Sequence, residues 1–384
     1  MMADGKSPAK SPRDKAALEK APLEAEIRHL ITVAGPMPVA EYMALCLGHP
    51  KHGYYTSRDP FGTAGDFVTS PEVSQMFGEL IGLWAASVWR LMGAPENVRL
   101  VELGPGRGTM MADALRAAHV VPEFRKAIVV HLVETSPAMQ KRQESSLRNV
   151  DVPTHWHEAL SDVPDGPFIV LANEFFDALP VNQAVRCSDG WHERVVEVSA
   201  DGDLVFGVGR DAMSFFEQTL PRKARDAGVD SIFEWRSDHV ALEIGRRLVH
   251  EGGAALVIDY GHLESALGDT FQAVRGHKFA DPLKAPGLAD ITSHVDFEAL
   301  AQSAETIGAR VHGPLRQAEF LRRMGIDTRA AALKKVAPPT KAAEVDAALA
   351  RLTDAGERGM GTIFKVLGLS HPQLATLPAF EKTS

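Results

Sequence analysis

VELGPGRGTM, residues Val101 to Met110, places three glycines within five positions, directly after an apolar run and a glutamate. The run VRLVEL before them reads as a short buried strand, and TMMADALRAA after them as a helix. A residue without Cβ lets the backbone approach a ligand, and a helix N-terminus offers free N–H groups. A strand, a glycine loop and a helix in that order form the nucleotide-binding corner of open α/β sheets, at the carboxyl ends of the strands. A tight turn with no ligand would use the same glycines, but the flanking strand and helix favour the binding loop.

Outward from this corner the chain repeats the alternation. AIVVHLVE, FIVLAN and AALVIDYG are near-continuous apolar runs, as expected of parallel strands buried on both faces. SPAMQKRQESSL and ALEIGRRLVHEGG carry helical spacing between them. The expected fold class is therefore α/β, a doubly wound, mostly parallel sheet. Residues 98–181 and 254–369 supply it. GTIFKVLGL is expected as a closing strand. Residues 182–253 read as a β-rich insertion, because QAVRC, WHERVVEVS and LVFGV are separated by the turns SDG and DGD. Residues 22–97 read as a helical cover with one turn-rich loop, GYYTSRDPFGTAGDFVTS. After that loop Ser70 is expected to cap a helix with Pro71 at its first position. Ser136 and Pro137 are set out in the same way. Ser293 and Asp296 are expected as a capping box, with Gly308 as the helix stop, and KKVAPPTKAA as a linker. Residues 1–21 have the composition of a disordered tail.

The formal net charge of -9 excludes a generic nucleic-acid binder, which needs clustered Lys and Arg. No apolar run is long enough to span a bilayer, so membrane insertion is not expected. The two cysteines, Cys46 and Cys187, are far apart, which reads as reduced thiols and a cytoplasmic setting. His155 and His157 lack further ligands at metal spacing, so no metal is assigned. Neither a Gly-x-Ser-x-Gly elbow nor a His-Glu-x-x-His helix occurs.

The spacing G-x-G-x-G is neither the ATPase phosphate loop nor the dinucleotide fingerprint. The acid before it, Glu102, would face a pyrophosphate poorly but suits a cationic ligand. S-adenosylmethionine carries a sulfonium and an ammonium and no phosphate. Gly104, Gly106 and Gly108 would cradle this cofactor, with Glu102 toward its methionine end. Glu134 ends the next strand, where two carboxylate oxygens match two vicinal ribose hydroxyls.

GDFVTSPEVSQMFGELIGLW, VELGPGRGTMM, VETSPAM, NEFFDALPVNQ, GDTFQAVRGHKF and ADITSHVDFEAL together resemble the MidA family of S-adenosylmethionine-dependent methyltransferases. The resemblance runs from about Leu23 to Leu369. It implies a seven-stranded Rossmann-like methyltransferase sheet. It implies also a protein substrate, an arginine in a subunit of respiratory complex I. By the same resemblance the second glycine loop folds over the cofactor, with Asp66, Thr69 and Ser70 near the site.

In NEFFDALPVNQ, Asn173 ends a strand and Glu174 and Asp177 follow on the same rim. Carboxylates there would hold a charged guanidinium and receive its proton, so Asn173, Glu174 and Asp177 are the expected catalytic group. Alternatively, Glu174 and Asp177 cap the next turn. Phe175 and Phe176 would stack on the acceptor, exclude water or belong to the core. His262 in IDYGH either lines the acceptor pocket or is structural. Two other functions fit a related sheet: a nicotinamide-dependent oxidoreductase, disfavoured by the glycine spacing, and a non-catalytic assembly factor that keeps the fold.

Overall fold

The computed structural model describes residues 22–57 and 69–381. The expected tail and Asp66 lie outside them. The chain enters through helix α1 (Pro22–Ala34), whose Leu23, Ile27 and Ile31 recur every fourth residue and are buried. The two-residue strand β1 (Met37–Pro38) and helix α2 (Val39–Gly48) follow.

One long helix was expected from Ser70; the structure has two. Helix α3 (Ser70–Val73) carries Pro71 in its first turn, and its N-cap is Thr69. Ser74 is extended and breaks the run, and its side chain accepts the Met76 N–H to start helix α4 (Gln75–Leu91). The Ser70 hydroxyl faces Gln317 instead. The apolar stripe of α4, including Phe77, Ile81, Trp84 and Val88, is fully buried. Each such side chain contributes about 1.5–3 kcal/mol. This helix therefore belongs to the core of the sheet domain and not only to a cover.

Strand β2 (Val98–Leu103) leads into helix α5 (Thr109–Ala117). Strand β3 (Ile128–Val133), helix α6 (Pro137–Leu147), β4 (Thr154–His157) and β5 (Phe168–Asn173) follow. Ser136 caps α6 as expected, accepting from the Met139 N–H. The chain then leaves the sheet for β6 (Val181–Cys187), β7 (Gly190–Val198), β8 (Leu204–Ala212) and β9 (Ile232–Arg236), which pair antiparallel. Strand β1 pairs with β7, Met37 opposite Val196, so the entering segment and the insertion share one sheet. Their side chains also share one apolar cluster, from Leu23 and Tyr42 to Val181 and Val196.

Helix α7 (His239–Glu251) returns to the central domain, where Ile244 and Leu248 pack with β5 residues. It was expected inside the insertion; its apolar stripe puts it on the sheet. Strand β10 (Gly253–His262) is followed by a small sheet of β11 (Gln272–Arg275), β12 (Lys278–Ala280) and β13 (Asp290–Thr292). Strand β14 (Val295–Asp296) pairs with the end of β10. Helix α8 (Phe297–Thr306) starts later than the expected box, with Asp296 as its cap on the Ala299 N–H. Ser293 is buried beside Arg236. Strand β15 (Arg310–Arg316) and helices α9 (Gln317–Arg323), α10 (Ile326–Val336) and α11 (Pro339–Leu352) come next. The expected linker is mostly helix, interrupted only at Ala337 and Pro338. Strand β16 (Phe364–Ser370) closes the sheet.

The central sheet has the order β15-β16-β10-β5-β2-β3-β4, seven strands, with β14 added beside β10. From β4 to β10 the strands are parallel; β16 runs antiparallel to β10, and β15, antiparallel to β16, takes the direction of the parallel set again. Its two faces feed separate cores, Val98 and Leu100 on one and Val101 and Leu103 on the other. The chain steps from β2 through β3 to β4, then crosses back to β5. The order reverses between β2 and β5, and ligands of open α/β sheets bind outside the carboxyl ends at such a point.

Candidate cofactor and acceptor site

A cavity of about 580 Å³ opens at that reversal, within the range of small-molecule sites. One end is lined by Gly104, Gly106, Glu134, Ser136, Met139 and Leu160. The other end is lined by Tyr55, Glu174, Asp177, Tyr260, Asp290 and Thr292. Thr69 and Phe175 also line it.

The three glycines of the first loop are required for different reasons. All lie in the left-handed region, at φ +59°, +52° and +77°, where a side chain is strained. A Cβ at Gly104 would also stand 2.9 Å from the Phe175 ring. The space freed there belongs to the protein's own phenylalanine, which then forms part of the cavity wall. Gly108 is the N-cap of α5 and passes close to Gln143 of α6, 3.4 Å from its Cα to a built Cβ. Gly106 lines the cavity, and its carbonyl accepts from Gln143 Nε2 at 2.8 Å.

Gln143 is the residue that sequence reasoning missed at this end. It is fully buried. The same Nε2 donates to Glu134 Oε2 at 3.0 Å, and its Oε1 accepts from Trp156 Nε1 at 2.9 Å. Glu134 Oε1 accepts the Ser136 N–H at 2.8 Å. Each Glu134 oxygen thus takes one protein donor and keeps acceptor capacity for a ligand hydroxyl. Burial pushes its carboxyl up, and the Ser136 and Gln143 donors pull it back. The only signal for Gln143 in the sequence was its place on the helix after Glu134.

Glu102 is buried beneath the loop and does not line the cavity. Among the described residues its Oε2 has no hydrogen-bond partner, and burial pushes its pKa up to about 8. Ser70 and Asn173 also lie behind the wall, and both act on Glu174. Glu174 Oε1 accepts the Ser70 backbone N–H at 3.0 Å and the Asn173 side-chain N–H at 3.2 Å. Glu174 sits at φ +51°, a left-handed conformation uncommon for a residue with a side chain. Burial pushes its pKa up to about 7, opposed by the Ser70 N–H.

The turn after β5 is organised by Asp259 at the end of β10. Its Oδ2 accepts the N–H groups of Phe175, Phe176 and Asp177 at 3.2, 2.9 and 3.2 Å, and its Oδ1 that of Tyr260 at 2.9 Å. Burial, with Asp177 and Glu174 nearby, pushes the Asp259 carboxyl up, against these donors and Arg236. Phe176 packs into the core, edge-on to Phe175. Half-buried Arg236 donates to the carbonyls of Leu179, Asp177, Ser293 and His294. This ties the insertion strand β9 to the acid-bearing turn. Burial raises the Asp177 carboxyl as well.

The remaining wall comes from segments the sequence did not connect with the site. Tyr55 donates from its hydroxyl to Asp290 Oδ1 at 3.0 Å, and its carbonyl accepts from Ser136 Oγ at 3.1 Å. It therefore spans the two ends of the cavity. His262 does not line it; Tyr260, two residues earlier, does. His155 and His157 cluster with His131 at the sheet edge. Among the described residues, the one group with ligand atoms at metal spacing is Cys187, Asp189 and His192, outside the cavity.

The fit to S-adenosylmethionine rests on the Gly104 and Gly106 backbone lining the cavity, the two-oxygen acceptor at Glu134 and a cavity of suitable volume. Comparison with known proteins agrees. A family model for S-adenosyl-L-methionine-dependent methyltransferases matches residues 80–315. Drosophila melanogaster protein arginine methyltransferase NDUFAF7 homolog, mitochondrial, is 39% identical over 90% of this chain and 84% of its own. Homo sapiens protein arginine methyltransferase NDUFAF7, mitochondrial, is 39% identical over 80% of this chain and 75% of its own. A Burkholderia thailandensis protein solved with S-adenosyl-homocysteine superposes with a TM-score of 0.84 at 27% identity, over 98% of both chains. The nicotinamide alternative finds no support among these matches. The cytoplasmic location expected from the cysteines is corrected, because the curated relatives are mitochondrial proteins. Unpaired thiols mark a reducing compartment without saying which one. The chain belongs to this family of S-adenosylmethionine-dependent methyltransferases.

Proposed function

We propose that this enzyme methylates an arginine side chain of a protein, and that the protein is a subunit of respiratory complex I. The observation that carries the acceptor is the charge of the cavity wall. Among the described residues Glu134, Glu158, Glu174, Asp177, Glu243 and Asp290 line it, with no Lys or Arg beside them. A guanidinium arrives charged, with a pKa above about 12, and such a wall favours a cation over a neutral or anionic acceptor. The names of the relatives, protein arginine methyltransferases, point the same way. The complex I subunit rests on the family resemblance of the motifs.

The bound cofactor supplies an electrophilic methyl group; the chain's own residues do the rest. Glu134, held by Gln143 and Ser136, takes the ribose hydroxyls. The Gly106 backbone admits the cofactor, and the Phe175 ring helps to exclude water. Asp177 orients the guanidinium. Glu174, with a pKa of about 7, accepts the proton that the acceptor nitrogen must lose, since a base works best near the operating pH. Asn173 and Ser70 fix that carboxylate, and Thr69 closes the wall beside it.

The test is incubation with methyl-labelled cofactor and purified complex I subunits, followed by acid hydrolysis. Labelled methylarginine is expected. Saturable cofactor binding with no methyl transferred to any subunit would contradict the proposal and favour a non-catalytic assembly role.

A further inference from the structure

The hairpin that joins β6 to β7 turns through Ser188 and Asp189 alone, with Cys187 opposite Gly190 and Val185 opposite His192. Residues two apart along a strand share a face, so Cys187 and His192 lie diagonally across one face of this hairpin. Gly190 puts no side chain between them, and Asp189 reaches back from the turn to the His192 ring. A sulfur, a carboxylate oxygen and an imidazole nitrogen converge there, all within 4.8 Å of one another. Zinc holds such atoms at about 2.0–2.3 Å, so small rotations of the Asp189 and Cys187 side chains close the three on one ion.

The imidazole is oriented as a metal ligand would be. His192 is buried, and its Nδ1 meets the Gly209 carbonyl of β8 at 2.8 Å. A carbonyl only accepts, so Nδ1 carries the proton. In the neutral ring Nε2 then presents its lone pair to Asp189 Oδ1, 3.1 Å away. Two acceptors face each other beside the Cys187 sulfur, and a cation between them satisfies both. A backbone carbonyl on the far ring nitrogen is also how proteins fix the tautomer of a histidine that binds a metal. The Asp189 side chain is 69% exposed, which gives an ion a path to the site.

We propose that Cys187, Asp189 and His192 form a zinc site of three protein ligands, with a fourth position open to water. Binding expels the Cys187 thiol proton as the metal–sulfur bond forms. The mixed sulfur, nitrogen and oxygen donors select against magnesium and calcium, which take oxygen ligands. The ion joins β6, the turn and β7, and through the Gly209 carbonyl also β8, into one edge of the insertion. The three residues lie outside the methyl-transfer cavity, so this inference stands apart from the arginine reading.

The experiment titrates untagged full-length protein, reduced and stripped with a chelator, with Co2+ and then Zn2+. Wild type is expected to take one Co2+ with a thiolate-to-cobalt charge-transfer band, which Zn2+ bleaches and Mg2+ does not. The band reports Cys187, because the other thiol of the chain, Cys46, is fully buried and burial pushes it up to about 12. Cys187→Ser should abolish the band. Asp189→Asn and His192→Gln should each weaken Zn2+ binding about tenfold or more, at least the cost of losing an outer-shell partner. Zn2+ should raise the melting temperature of wild type and not that of Cys187→Ser. Asp189 is exposed, so its variant keeps the fold and reads the site even where His192→Gln loses stability. Absence of the cobalt band would leave His192 and Asp189 as an ordinary ion pair and overturn the site. A band that persists in Cys187→Ser, or Zn2+ binding unchanged in Asp189→Asn, overturns it equally.

Discussion

Replacing Gln143 with Leu tests the cofactor end of the cavity most sharply. The side chain is fully buried, so a leucine of similar volume keeps the packing. It removes three hydrogen bonds, to the Gly106 carbonyl, to Glu134 Oε2 and from Trp156 Nε1. Each contributes about 0.5–1.5 kcal/mol net, and a buried donor left unpaired costs about 1–3 kcal/mol. The Gly106 carbonyl lines the cavity and can find water, so the larger penalty falls on the indole N–H. The expected loss is about 2–5 kcal/mol of stability, or roughly 3–6 °C in Tm for a chain of this length. Glu134 keeps the Ser136 N–H but loses the donor that orients its second oxygen. Calorimetry should therefore show S-adenosyl-homocysteine binding weakened about tenfold or more. The same titration with an analogue lacking both ribose hydroxyls should show little difference between variant and wild type. If the melting point falls while both ligands bind as before, Gln143 is only a strut, and the assignment of Glu134 to the ribose is wrong.

Three further outcomes follow from the acids. With the Glu174 pKa near 7, kcat should rise with pH through about 7 and level off; Glu174→Gln should lower kcat and abolish that limb, and an unchanged profile would exclude Glu174 as the base. Glu102 has its pKa raised from 4.5 to about 8 by burial, so its neutral form favours the folded state below 4.5 and that contribution is lost as pH rises through 8. Glu102→Gln should accordingly match wild type in denaturant melts at pH 5 and exceed it at pH 9, by no more than about 5 kcal/mol; equal stability at both pH values would mean that the carboxylate is compensated in the fold. Asp177→Asn should lower kcat more than it weakens cofactor binding, and equal losses would assign Asp177 a structural role.

The sheet was legible because its strands are buried on both faces. VRLVEL, AIVVHLVE, FIVLAN and AALVIDYG leave no other reading once helices separate them, and each became a neighbour in the central sheet. Local caps were legible where one side chain decides them, as at Ser136, and failed where a neighbour competes. Ser74 took the cap expected of Ser70, and Asp296 the one shared with Ser293. Gly104, Gly106 and Glu134 line the cavity, and their place there was legible because they follow their strands directly. Tyr55 and Asp290 were not, because they lie far apart in sequence and only the tertiary fold brings them together; Gln143 was not, because a glutamine on a helix carries no mark of the strand end it faces. Tyr55 and Asp290 are 235 positions apart. The glycine argument was also incomplete, since Gly104 makes room for Phe175 rather than for a ligand alone.

The most direct measurement is a crystal structure of the enzyme with S-adenosyl-homocysteine and an arginine peptide bound together. The ribose is expected on Glu134, the sulfur between the Gly104–Gly106 turn and Glu174, and the guanidinium against Asp177. A guanidinium bound outside this cavity, or a sulfur that faces away from Glu174 and Asp177, would contradict the account.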